Sequence, residues 1–76
     1  MKRAIEQETL QALVETGAAR EFRALREGEA YRLELRLGLK WLPVRSRREP
    51  LRLWRSLTAV GRFCADVGIK VLTVEL

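Results

Sequence analysis

The stretch that most constrains the fold is Leu53 to Leu76, LWRSLTAVGRFCADVGIKVLTVEL, because it encodes three elements in immediate succession. Leu53 and Trp54 end a strand, and Ser56 suits a helix N-cap, where its hydroxyl accepts from an otherwise unpaired amide one turn in. Leu57, Val60, Phe63, Cys64 and Val67 then recur at spacings of three and four, which places them on one helical face. Gly68 stands where a left-handed C-cap residue belongs, and Ile69 follows where the matching apolar contact belongs. From Ile69 to Leu76 the chain is β-branched and apolar on both faces, which predicts a buried closing strand.

Upstream, Ala4 to Thr16 predicts a first helix, with Ile5, Thr9, Leu10, Leu13 and Val14 on one side and Gly17 as its terminator. Its early glutamates suit the positive end of the helix dipole. Ala18 to Arg26 is a strand anchored by Phe22, and Gly28 within Glu27-Gly28-Glu29-Ala30 suits a tight hairpin. Tyr31 to Trp41 carries Tyr31, Leu33, Leu35, Leu37, Leu39 and Trp41 on every odd position. Polar residues and Gly38 fill the even ones, the signature of one long half-buried strand, with Gly38 marking a bend or bulge. That register favours Trp41 in the core, the alternative being a stacking platform for a base. Pro43 lacks a ladder donor and favours an edge or a bend. Arg45 to Glu49 forms a charged turn, and Leu51 to Trp54 a short strand with Trp54 at a partly open edge.

The resulting order is α-β-β-β(-β)-α-β. It predicts a single α+β two-layer domain: an antiparallel sheet of three to five strands with both helices on one face. At 76 residues such a chain buries only about 60% of the surface its unfolded form exposes. An apolar content of 47% on so few layers points to a second copy covering part of the surface, a homodimer.

Chemistry is sparse. Histidine is absent, and there is one cysteine and one aspartate, so no zinc set and no nucleophile–base pair can be assembled. The glycines stand singly, so no phosphate-cradling loop exists. These features predict a protein that is not an enzyme and carries no cofactor and no metal. A lone cysteine implies no disulfide and so no oxidising compartment. Lys2 and Arg3 are followed by Glu6 and Glu8, which interrupt any signal-peptide core, and no apolar run reaches membrane-spanning length. The expectation is a cytoplasmic protein with no membrane partner.

Charge is the one functional signal. The net +5 is local: residues 1–39 are neutral, whereas residues 40–62 hold Lys40, Arg45, Arg47, Arg48, Arg52, Arg55 and Arg62 against Glu49 alone. Guanidinium groups pair with phosphates through planar, paired hydrogen bonds. Arg45, Arg47, Arg48, Arg52 and Arg55 are therefore the candidate nucleic-acid-binding residues. The competing reading is a solvated turn, since twelve arginines against three lysines are also what GC-rich coding gives. An α-β-β-β-α order also suits double-stranded-RNA binding, but the start of the second helix, Ser56 to Val60, has no lysine.

Residues 47–75, RREPLRLWRSLTAVGRFCADVGIKVLTVE, show a basic turn, an arginine, an aromatic, a Ser-Leu helix start, an aromatic within the helix, Gly-Ile and a short last strand. The run resembles the closing pattern of small ParC-type, partition-associated proteins of proteobacterial plasmids and integrative elements. Gly17-Ala18 and Arg32 to Leu39 are similar too, while Glu49-Pro50 stands where the pattern has a glycine. The resemblance implies an accessory role in DNA segregation or mobile-element maintenance, by contact with DNA or with a DNA-bound partition protein. The alternative is a homodimeric interaction module whose basic patch meets an acidic protein and no nucleic acid.

Overall fold

The computed structural model describes residues 4–76; Lys2 and Arg3 lie outside them. In chain order the elements are β1 (Ile5–Glu6), α1 (Gln7–Thr16), β2 (Phe22–Glu27), β3 (Ala30–Leu37), β4 (Lys40–Arg45), β5 (Leu53–Trp54), α2 (Leu57–Val67) and β6 (Thr73–Glu75). The α+β class holds. The sheet, however, has six strands and is mixed, not an antiparallel sheet of three to five. Its path runs β1-β4-β3-β2-β6, with β5 beside the start of β3. The antiparallel meander β2-β3-β4 forms the centre, and β1 and β6 add to its two flanks in parallel.

The largest departure from the pattern lies within residues 31–41. The alternation does not run through one strand: it folds back at Gly38-Leu39 into a hairpin that pairs Leu37 with Lys40. Gly38 has φ 62°, and among the described residues only glycines have a positive φ. That is the glycine-first arrangement of a type II′ turn, which matches the twist of the flanking strands. The hairpin at Gly28 repeats it, and in both an arginine two residues before the glycine donates from Nε to its carbonyl: Arg26 to Gly28 at 3.1 Å and Arg36 to Gly38 at 3.0 Å. Leu39 therefore sits at a turn tip, 90% exposed. Trp41 pairs with Arg36, not with a leucine, so it lies on the sheet face opposite the core. A two-residue turn moves the odd positions of the second strand to the other face, and periodicity carries no trace of it.

One core cluster sits between sheet and helices. Leu33 and Leu35 of β3, Phe22 and Ala24 of β2 and Val44 of β4 pack with Leu10 of α1 and with Val60, Phe63, Cys64 and Val67 of α2. Trp54 is buried rather than at an open edge, its ring 4.9 Å from that of Phe63. Burial also pushes the Cys64 thiol pKa up, which keeps it protonated and inert.

The second helix forms as its residues dictate. Ser56 Oγ accepts from Ala59 N–H at 3.1 Å, and Gly68 at φ 91° donates to Ala65 while Ile69 donates to Cys64, the paired bonds of a Schellman end. A side chain at Gly68 would also stand 3.4 Å from Val14 of α1. The first helix starts later than its pattern suggests. Ile5 belongs to β1, opposite Val44, and still packs on the core, while Thr9 is exposed. β2 begins at Phe22 because Ala18 to Glu21 is the connection, held by Ala19 N–H donating to Leu13 C=O at 3.1 Å.

The closing segment is corrected as well. β6 covers three residues, all exposed, on the outer side of β2; Val71 is 80% exposed and Leu76 89%. Ile69 does reach the core and Leu72 packs against it, but Val71, Val74 and Leu76 flank the sheet rather than fill it. Among the described residues, no helix is long and apolar enough to cross a membrane.

Candidate nucleic-acid interface

Which cations are free depends first on the sheet face that carries no helix. Glu34 projects there from the middle of β3 and is 2% exposed. Arg23 donates from Nε to its Oε1 at 2.8 Å, and Arg32 from Nε to its Oε2 at 3.0 Å. Burial alone would raise the Glu34 pKa, but these hydrogen bonds and charges hold it below the usual glutamate range. Arg32 is drawn down by burial, and its bonds to Glu34 and Glu27 outweigh that and raise its pKa. Arg23 also faces Glu75 at 3.7 Å, and Arg36 pairs with Glu21 at 3.1 Å. The guanidinium carbon of Arg23 lies 4.1 Å from the centre of the Trp41 ring. This face is a lattice of closed ion pairs, and Trp41 is stacked by the protein's own arginine.

The basic turn is built differently. β4 ends at Arg45, and the chain returns so that Arg52 N–H donates to Val44 C=O at 2.9 Å. Between them Ser46 and Glu49 are pinned together: Ser46 Oγ accepts from Glu49 N–H at 3.0 Å, and Ser46 N–H donates to Glu49 C=O at 3.1 Å. Arg47 and Arg48 occupy the tip and are exposed. The parallel pairing of Glu6 with Arg45 brings the start of α1 alongside. Arg45, Arg47 and Arg52 thus share a shallow groove of about 330 Å³ with Glu6, Gln7 and Glu8. Glu6, the N-cap of α1, makes no side-chain cap, so the positive end of the helix faces this groove without one.

The five candidate arginines do not form one set. Arg45 is half-buried and donates from Nε to Ser46 C=O at 3.2 Å. Arg47 is 88% exposed along its side chain, with Glu8 3.7 Å away. Arg52 is half-buried and engaged by the fold: its guanidinium carbon lies 4.8 Å from the Trp54 ring centre and 4.9 Å from that of Phe63, and Nη1 donates to Gln7 at 3.1 Å. It clamps α1, β5 and α2 together. Arg48 sits on the same tip as Arg47, and Arg55 is exposed just before the α2 cap; neither lines the groove.

Sequence reasoning missed Glu6, Gln7 and Glu8 as neighbours of the arginines. They arrive through a parallel pairing across 39 positions, Ile5 with Val44, between strands too short to leave a periodic signal. The chain matches no family model, no curated protein and no solved structure.

Proposed function

We propose that this chain is a small, non-enzymatic accessory protein of DNA maintenance that contacts the phosphate backbone through the turn after β4. Supporting this is the contrast between two sets of arginines. Those of the helix-free face are closed in short, partly buried ion pairs, whereas Arg47 and Arg48 stand on a pinned, solvent-facing tip flanked by Arg45 and Arg55, where Arg47 has only a long, fully solvated contact with Glu8. A turn held by Ser46 and Glu49 presents these cations with little ordering cost on binding. Contacts of this kind position a protein on a duplex and carry no sequence information. The role in partition comes from the resemblance of residues 47–75 to ParC-type proteins, and a cytoplasmic site from the single cysteine and from Glu6 and Glu8 beside Lys2 and Arg3.

A second reading is favoured by the groove itself, where Glu6 and Glu8 stand among the arginines. Mixed charge suits a protein surface, such as that of a DNA-bound partition protein, better than a bare polyanion. One experiment tests both. Fluorescence anisotropy of a labelled duplex is measured against the wild type and against the variant Arg45→Gln, Arg47→Gln, Arg48→Gln, Arg55→Gln, in which the Arg52 clamp is kept. Binding by the wild type that is lost in the folded variant supports the first reading. Absence of duplex binding by both, with capture of an acidic partner by the wild type alone, moves the function to the second.

A further inference from the structure

Of the two outer strands, β1 has two residues and runs directly into α1, whereas β6 ends the sheet with no such cover. Its three residues pair with β2 in unbroken register, Arg23 with Thr73, Ala24 with Val74 and Leu25 with Glu75, and all three are exposed. Its short length and Glu75 blunt this edge in part, but it has no proline, no bulge and no lysine within it. Beside the unpaired backbone groups stand Val71, Val74 and Leu76, 80, 40 and 89% exposed. Half of the exposed large apolar residues of the described chain thus lie in this one segment.

We propose that the β6 edge is a homodimer interface, in which two copies pair antiparallel about a twofold axis at Val74 and join their sheets into one. The occupant is a second copy because the segment complements itself. With Val74 on the axis it meets its own symmetry mate, Leu72 meets Leu76, and Thr73 meets Glu75. Val74 lies on the face of Ala24, the core side, and alternation places Leu72 and Leu76 there too. Apolar residues therefore meet apolar residues on the helix side, and a hydroxyl meets a carboxylate on the other, with no like charges opposed. An isologous interface requires this kind of self-match. Shifting the axis to Thr73 sets Val71 against Glu75 and loses it. The proposal goes beyond the DNA-contact reading and does not depend on it.

Sedimentation velocity over a dilution series, without DNA and at high salt, reads the mass directly. The wild type is expected to approach twice the chain mass of 8.8 kDa and to dissociate on dilution, and folded Val74→Lys to remain at the single mass. Crosslinking covers the case in which lysine disturbs the fold. In a Cys64→Ala background, Val74→Cys should oxidise rapidly to a symmetric disulfide, because facing Cα atoms of an antiparallel pair lie about 4.5–5.5 Å apart, within disulfide reach. Thr73→Cys, two positions off its own mate, should not. A wild type that stays monomeric throughout, a Val74→Lys that still dimerises, or crosslinking at Thr73 in preference to Val74 overturns the proposal.

Discussion

The side chain that says most about this sheet is Glu34. A buried carboxylate is tolerated in a two-layer domain because Arg23 and Arg32 each donate to one of its oxygens. Glu34→Gln removes the charge and leaves two half-buried guanidinium groups facing a neutral amide, which costs roughly 2–3 kcal/mol at neutral pH. The sign with pH follows from the depressed pKa of Glu34. The carboxylate's contribution is complete above its unfolded value, about 4.3, and is lost as pH falls through the lower folded value. Urea unfolding at pH 7 and near pH 3 should therefore show a gap between wild type and variant that narrows in acid. A gap independent of pH would mean that shape rather than charge holds the site. Arg52 predicts the opposite division of labour from its neighbours. Arg52→Gln loses its packing on Trp54 and Phe63, costing roughly 1–2 kcal/mol. It should lower the melting temperature while leaving duplex affinity within about twofold.

At the scale of elements, the hairpin at Gly38 separates two readings of the same leucines. If Tyr31 to Trp41 were one strand, Leu39 would be as buried as Leu35; in the structure it is 90% exposed and Leu35 fully buried. Leu39→Ser should change stability by no more than about 0.5 kcal/mol. Leu35→Ala should cost about 2–5 kcal/mol. Chemical denaturation of the two variants checks this, and a large loss at Leu39 would reinstate the continuous strand. The comparison also shows what is legible in such a chain. Local chemistry was: the Ser56 cap, the Gly68 end with Ile69 behind it, the Gly17 stop and the hairpin at Gly28 all form where the residues place them. What periodicity could not show was any fact that needs a partner strand. A glycine in a period-2 run reads equally as a bulge or a turn, and the parallel pairings of β1 and β6 join segments distant in the chain. The candidate site divides in the same way. The arginines of residues 45–55 were visible as charge, but the aromatic clamp on Arg52 required the fold.

For the whole molecule, the radius of gyration of 11.3 Å matches the roughly 11 Å of a compact chain of this length. The grooves that line it are shallow and open to solvent, so its recognition is a matter of surface. The surface divides into a self-neutralised sheet face, an apolar strand edge at β6 and a basic turn after β4. The arginines of the sheet face would have to break ion pairs to Glu34, Glu21 or Glu27 to meet a polyanion, whereas at the turn the one ion pair among the described residues is the exposed contact of Arg47 with Glu8 at 3.7 Å. Four arginines, Arg45, Arg47, Arg48 and Arg55, are available there for phosphate contact once Arg52 is assigned to the fold.

That assignment makes the salt dependence of duplex binding the most direct test. Each phosphate neutralised contributes about −0.9 to the slope of log affinity against log salt, so four arginines give a slope of about −3.6. Affinity should then fall roughly 150-fold as salt rises from about 50 to 200 mM. Titrations of a labelled duplex across that range, with folding confirmed at each salt, should return this slope for the wild type and the same slope for Arg52→Gln. Folded protein that fails to bind at low salt, or binds with a slope near zero, contradicts the account.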